Sequence, residues 1–88
     1  MLVRHILTAV GECPNNGLAD RYRISVYAAG LLQCEEVAAT VDQLLAAPCY
    51  QEAFTQALAN RLGCKVRTRC RHLAGGRVLT DCVCWPAS

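Results

Sequence analysis

The sequence predicts a small α+β fold: an antiparallel sheet with two helices on one face, in the order β-β-α-α-β-β. Three observations carry this. Residues 21–28 and 64–71 alternate apolar with polar side chains, the period of a half-buried strand. Residues 34–62 space their apolar side chains at helical intervals on either side of Pro48. Turn chemistry at 11–20 and at Gly75-Gly76 separates two pairs of strands. Two hairpins flanking two helices give an antiparallel sheet covered on one side.

The first strand is expected over residues 2–10, which are apolar and β-branched with interruptions. Residues 11–20 hold Pro14, Asn15, Asn16 and Gly17 and read as a turn. In the second strand Tyr22, Ile24, Val26 and Ala28 alternate with Arg21, Arg23, Ser25 and Tyr27. Cys34, Glu35 and Glu36 open the first helix, with acidic residues where the helix dipole favours them. Its apolar stripe is Val37, Val41, Leu44 and Leu45. Pro48 ends this helix or starts the next. The second helix runs to Leu62 with Tyr50, Phe54, Ala57, Leu58 and Leu62 as its stripe, and Gly63 suits the residue just past its end. In the third strand Cys64, Val66, Thr68 and Cys70 alternate with Lys65, Arg67, Arg69 and Arg71. The fourth is expected from Arg77 to Trp85, with Val78, Thr80, Cys82 and Cys84 on one face.

The 88 residues are read as one domain spanning 1–88, without repeats or linkers. A chain of this size buries only ~60–65% of its unfolded surface, so association or a staple is expected. The net charge of +2 does not by itself imply a polyanion partner. Seven cysteines raise the question of disulfides or metal. The odd count, a start too short and too broken by Arg4 and His5 for a signal peptide, and an ordinary apolar core favour a reduced, cytoplasmic protein. No run of 18 apolar residues exists, so no membrane span is expected.

Cys13-Pro14-Asn15-Asn16-Gly17-Leu18-Ala19-Asp20 resembles the Cys-Pro-x-Thr-Gly-x-Pro-Asp segment of the 7-cyano-7-deazaguanine reductases, the nitrile reductases of queuosine synthesis. Asn16 stands for Thr and Ala19 for Pro. Gln51-Glu52-Ala53-Phe54-Thr55-Gln56-Ala57-Leu58-Ala59 is similar to the Gln-Glu-x-Leu-Thr-x-x-Ile-Ala helix of GTP cyclohydrolase I, and Val66 to His72 looks like that enzyme's strand ending in His. Both families have the tunnelling fold, whose unit is two strands, two helices and two strands. The resemblance covers about residues 11–72.

The resemblance implies roles. Cys13 stands where the reductases have the nucleophile that adds to the nitrile as a thioimide, and Asp20 where they have the acid that handles protons. The plainer reading is a loop cysteine and a turn cap. Glu52 matches the glutamate that anchors a purine- or pterin-like ring through two parallel hydrogen bonds, with Gln51 and Thr55 beside it. The plainer reading is a first-turn Glu favoured by the dipole. Glu36, 23 residues after Cys13, stands where the reductases begin a Glu-Ser-Lys-Ser-Leu-Lys signature for cofactor and substrate. Here Val37-Ala38-Ala39-Thr40-Val41 follows, so NADPH does not carry over and the cofactor stays open. The archaeosine-forming relatives keep the Cys and transfer an amidine on tRNA without NADPH, but this chain departs from their signature as well.

The expectation is an enzyme or binder for a 7-deazaguanine, purine or pterin-like ring, assembled as a homo-oligomer because tunnelling-fold sites lie between subunits. Two alternatives stay open. One is a zinc protein using Cys70, His72, Cys82 and Cys84, although Cys-x-Cys on a strand face also reads as two small buried side chains. His5 reads as a structural histidine. The other is a non-catalytic ligand- or RNA-binding protein. Lys65, Arg67, Arg69 and Arg71 share one strand face, and Arg21 and Arg23 line the corresponding side of the second strand. If those strands are neighbours, six cations face one way and a counter-anion becomes attractive: a phosphate-bearing ligand, RNA, or acidic residues of a neighbouring subunit. By the resemblance that face would line a central channel. Tyr22, Tyr27 and Trp85 do not form the aromatic pattern of a single-strand RNA sheet.

Overall fold

The structure is a computed structural model and describes residues 1–73, 76 and 78–87. Its elements are β1 (Val3–Glu12), β2 (Ala19–Ala28), α1 (Cys34–Leu44), α2 (Gln51–Leu62), β3 (Lys65–His72) and β4 (Leu79–Cys84). The strands form one sheet in the order β1-β2-β3-β4, every neighbouring pair antiparallel. The expected fold class and element order hold, and the two hairpins lie side by side with β2 against β3.

Period-2 alternation builds the core. Tyr22, Ile24, Val26 and Ala28 of β2 and Val66 and Cys70 of β3 point to the helix side. They meet Val37 and Val41 of α1 and Phe54, Leu58 and Ala59 of α2. The Tyr22 and Phe54 rings lie 5.0 Å apart. Gly63 ends α2 with φ +65°, a left-handed conformation glycine adopts without a Cβ penalty.

Several boundaries differ from the sequence reading. The β1–β2 ladder runs from Val3↔Ala28 to Glu12↔Ala19, so Gly11 and Asp20 are paired strand residues and the turn shrinks to 13–18. Pro48 belongs to neither helix. It lies in a connection that Cys49 ties to β1 by donating its N–H to the Glu12 carbonyl at 3.3 Å. The buried face of α2 is Gln51, Phe54, Thr55, Leu58 and Ala59, whereas Tyr50 is exposed. The helix is rotated because Gln51 and Thr55 find hydrogen-bond partners on the sheet. β4 begins at Leu79, opposite Arg71. Gly75 and Arg77, expected in the turn and at the start of the last strand, lie outside the described residues.

All seven cysteines are free. No helix among the described residues is long and apolar enough to cross a membrane.

Candidate functional site

The chain brings several sequence-singled residues to the end of the sheet where β1 finishes and β2 starts. Cys13 follows β1 directly. Its N–H donates to the Leu18 carbonyl and its own carbonyl accepts from Gly17, both at 2.9 Å, closing a tight loop. Gly17 has φ +69°, so a side chain there would be strained. Tyr50, just before α2, donates its hydroxyl to Asn15 Oδ1 at 2.8 Å and clamps the loop to the helix start. Gln51 and Glu52 follow at once. These tertiary contacts set the Cys13 loop against the first turn of α2.

Asp20 is buried in β2, directly opposite His72 of β3, so the turn-cap alternative fails. Its Oδ1 lies 2.9 Å from His72 Nδ1, and His72 Nε2 lies 2.7 Å from Thr80 Oγ1. Thr80 donates its hydroxyl proton to Gln51 Oε1. The Gln51 amide N–H₂ donates to the Thr68 carbonyl, to Thr68 Oγ1 and to the Thr80 carbonyl, at 3.1–3.2 Å. Thr55 Oγ1 donates to the Gln51 carbonyl, which leaves it to accept from Thr68 Oγ1; both distances are 2.7 Å.

Because Thr80 spends its hydrogen on Gln51, it accepts from His72 Nε2. The other ring nitrogen, Nδ1, faces Asp20 Oδ1.

Cys70, fully buried, lies 3.8 Å from His72 Nδ1. Its thiol is pushed up to about 12, first by burial and then by the Asp20 charge, with smaller contributions from Cys13 and Glu52. Burial also raises Cys49, with Asp20 adding to it. Burial likewise raises the Tyr22 phenol, and Cys70, Asp20 and Cys49 add to it. The Tyr22 hydroxyl is the buried side-chain polar atom without a hydrogen-bond partner among the described residues.

Asp20, Cys70 and His72 bring a carboxylate, a thiol and an imidazole within 4.8 Å of one another, a donor set that could hold a metal. In this structure both His72 nitrogens are engaged in hydrogen bonds, and burial holds the Cys70 sulfur as a thiol. Cys82 and Cys84 form a separate pair, Sγ to Sγ 3.9 Å, outside that cluster.

Glu36 is elsewhere. The α1 N-terminus lies beside His5, where Cys34 Sγ is 3.9 Å from His5 Nδ1, while Leu45 at the other end packs beside Gly11. Nine residues of helix put Glu36 about 14 Å from the Cys13 end. Gln51 and Thr55 are buried and committed to Thr68 and Thr80, whereas Glu52 is exposed. The sequence reading missed Thr68 and Thr80, and the pairing of His72 with Asp20. Extending the β3 and β4 alternation to His72 and Thr80 was the available signal; what it lacked was the β2–β3 pairing.

No family profile matches the chain, and no curated protein matches it. Among solved structures it is similar to the archaeosine synthase QueF-like in its apo form, with 20% identity and a TM-score of 0.78, covering 99% of this chain and 94% of that one. The chain has the tunnelling-fold architecture that its element order predicts.

Proposed function

We propose that the chain acts on a 7-deazaguanine-like ring at the Cys13–Asp20–Glu52 end of the sheet, by thioimide-type cysteine chemistry. The observation that carries this is that the Cys13 loop is clamped to the start of α2, where Glu52 stands in the first turn, at the same end of the sheet as the Asp20–His72 pair. The fold shared with an archaeosine synthase supports the same ring class. In this reading Cys13 adds to a nitrile carbon. The carbon–sulfur bond forms as the thiol S–H bond breaks and one π pair of the C≡N bond moves to nitrogen; nitrogen takes a proton from the Asp20–His72 pair, and the thiol proton replaces it there, so no net proton is consumed. Glu52, exposed in the first turn of α2, accepts hydrogen bonds from the ring edge. Gln51 and Thr55, first read as ring contacts, lock α2 to β3 and β4 and so position Glu52.

Assembly into a homo-oligomer belongs to the same proposal. Both edge strands are open and carry exposed apolar side chains, Ile6 and Val10 on β1 and Leu79 and Val83 on β4. A neighbouring subunit could supply Glu36, which is remote within one chain. Gel filtration at the mass of one chain would count against this.

The decisive experiment is intact-mass spectrometry after incubation with 7-cyano-7-deazaguanine, with Cys13→Ala as control. An adduct on the unsubstituted chain alone is the expected result. Absence of an adduct, with Cys13 no more alkylation-prone than Cys34, overturns the catalytic reading. Binding of a purine- or pterin-like ring without chemistry would then remain, detectable by calorimetry.

A further inference from the structure

The sheet face away from the helices is unusual in its charge. Strand alternation and register put Arg4 of β1, Arg21 and Arg23 of β2, and Lys65, Arg67, Arg69 and Arg71 of β3 on it together. That is seven of the eight described Lys and Arg residues; the other, Arg61, is on α2. Two carboxylates share the face. Asp81 pairs with Arg67 at 2.5 Å and lies 3.8 Å from Arg69, and Glu12 sits at the corner beside Gly17. Seven cations against two anions leave the face five charges positive in a chain whose total is +2. Arg21 stands directly opposite Arg71, and Arg23 directly opposite Arg69. Like charges opposed across a ladder are destabilising. Arg21, Arg23 and Arg71 have no carboxylate within ion-pair distance among the described residues.

The surface has a shape to match. A groove of about 250 Å³ is bounded by Arg4, Arg23, Ser25, Arg67 and Arg69. It shares Arg23 and Arg69 with a groove of about 720 Å³ that continues past Arg21 and Arg71 to Leu79. That one in turn shares Arg21 and Arg71 with a third, about 230 Å³, that reaches His72. Together they make one cationic track across the face. Same-face residues recur every ~6.8 Å along a strand, so Lys65 to Arg71 alone spans ~20 Å, far longer than a single small anion. At the Lys65 end stand two aromatic rings. Lys65 Nζ lies 4.9 Å from the Tyr27 ring centre and 5.5 Å from that of Trp85, which is 61% exposed. The Arg4 guanidinium beside Tyr27 holds its phenol below the ordinary range, with the Lys65 and Arg67 charges adding to this.

We infer that the open sheet face binds a single nucleic-acid strand, its phosphodiester backbone along the Arg23–Arg69–Arg71 track and a base stacked on Trp85 or Tyr27. A regular row of cations ending in aromatic platforms is what an extended strand requires, since phosphates meet the charges and any base offers a stacking surface. The register therefore creates an aromatic pair that the linear sequence did not reveal. The inference goes beyond the ring chemistry and does not depend on it.

The test is a titration of the chain with a 15-nucleotide oligouridylate and, separately, the matching oligodeoxythymidylate. Anisotropy of a labelled strand reports binding, and fluorescence of Trp85, the one tryptophan, reports stacking. Expected is quenching of Trp85 together with an affinity that falls steeply with salt, a log–log slope of about −3 for four phosphates. The double variant Arg23→Glu/Arg69→Glu should bind at least tenfold more weakly, with circular dichroism confirming its fold, while Arg61→Glu on the helix layer binds as before. A preference between the two strands would name RNA or DNA as the natural ligand. No binding of either strand at 20–50 mM salt, equal binding by the double variant, or equal loss in Arg61→Glu would overturn the proposal. So would a change in oligomer mass in the double variant without strand binding by the unsubstituted chain, which would assign the face to a second copy's acidic helix layer.

Discussion

On the helix side of the sheet, Asp20, His72, Thr80, Gln51, Thr68 and Thr55 form one chain of hydrogen bonds in which each hydrogen has an acceptor. On the open side, Arg21 opposes Arg71 and Arg23 opposes Arg69 across a ladder, with Asp81 committed to Arg67 and Glu12 at the corner of the face. The two faces are built from the same strands, one residue out of phase. Buried polar groups must be satisfied within the molecule because water cannot reach them. Exposed cations can rest on solvent, and so can be left available for an external anion. Internal satisfaction marks a scaffold that positions a site, and an excess of one charge marks a surface open to a partner.

The largest expected effect comes from breaking the internal network. Gln51→Ala removes the four hydrogen bonds of its side chain to Thr68 and Thr80 and leaves the Thr80 hydroxyl without its acceptor, and should cost about 3 kcal/mol in urea denaturation. It should also lower the yield of any Cys13 adduct by loosening Glu52.

Alkaline pH offers a graded version of the same test. The folded-state pKa of Cys70 is raised, from an ordinary 9.0 to about 12. Its contribution is therefore fully present below pH 9 and is lost as pH rises from 9 toward 12, because the unfolded chain releases the proton first. Cys49, Cys64, Cys84 and Tyr22, all raised chiefly by burial, act in the same direction. Stability should decline above pH 9, and Cys70→Ala should show a shallower decline whatever its starting stability. At pH 7.5, iodoacetamide should label exposed Cys34 ahead of Cys49, Cys64 and Cys70 by tenfold or more, read by peptide mass mapping.

A smaller effect sharpens the contrast from inside. Tyr22→Phe removes a buried hydroxyl without a partner, so stability should stay level or rise, by about 1 kcal/mol at most. If it falls instead, Tyr22 is satisfied in solution and the helix side has one more member in its network. The smallest structural effect should be Asp81→Asn, whose partner Arg67 is on the surface. Its thermal midpoint should not move measurably, while oligonucleotide binding tightens because the face loses its central anion.

Much of this was legible along the chain. Strict alternation from Tyr22 to Ala28 and from Cys64 to Arg71 sorts side chains to two faces whatever the partners, because a strand's period is fixed by its backbone. The cationic face and half of the core follow from that alone. Helical spacing gave Val37, Val41, Phe54 and Leu58 as buried. It failed for Tyr50, which faces solvent, and for Gln51 and Thr55, which are buried because acceptors await them. A helix's rotation is set by what it packs on as well as by its own hydrophobicity.

The sequence by itself determined the order of elements and the face each strand residue takes. Only the tertiary structure decided that β2 pairs with β3 in a register that sets Asp20 against His72, Arg21 against Arg71 and Arg23 against Arg69. Local periodicity reports what a residue's own backbone dictates. Register between strands separated by two helices is decided by the closing of the whole core, when the hydrophobic faces of both hairpins and both helices are buried together.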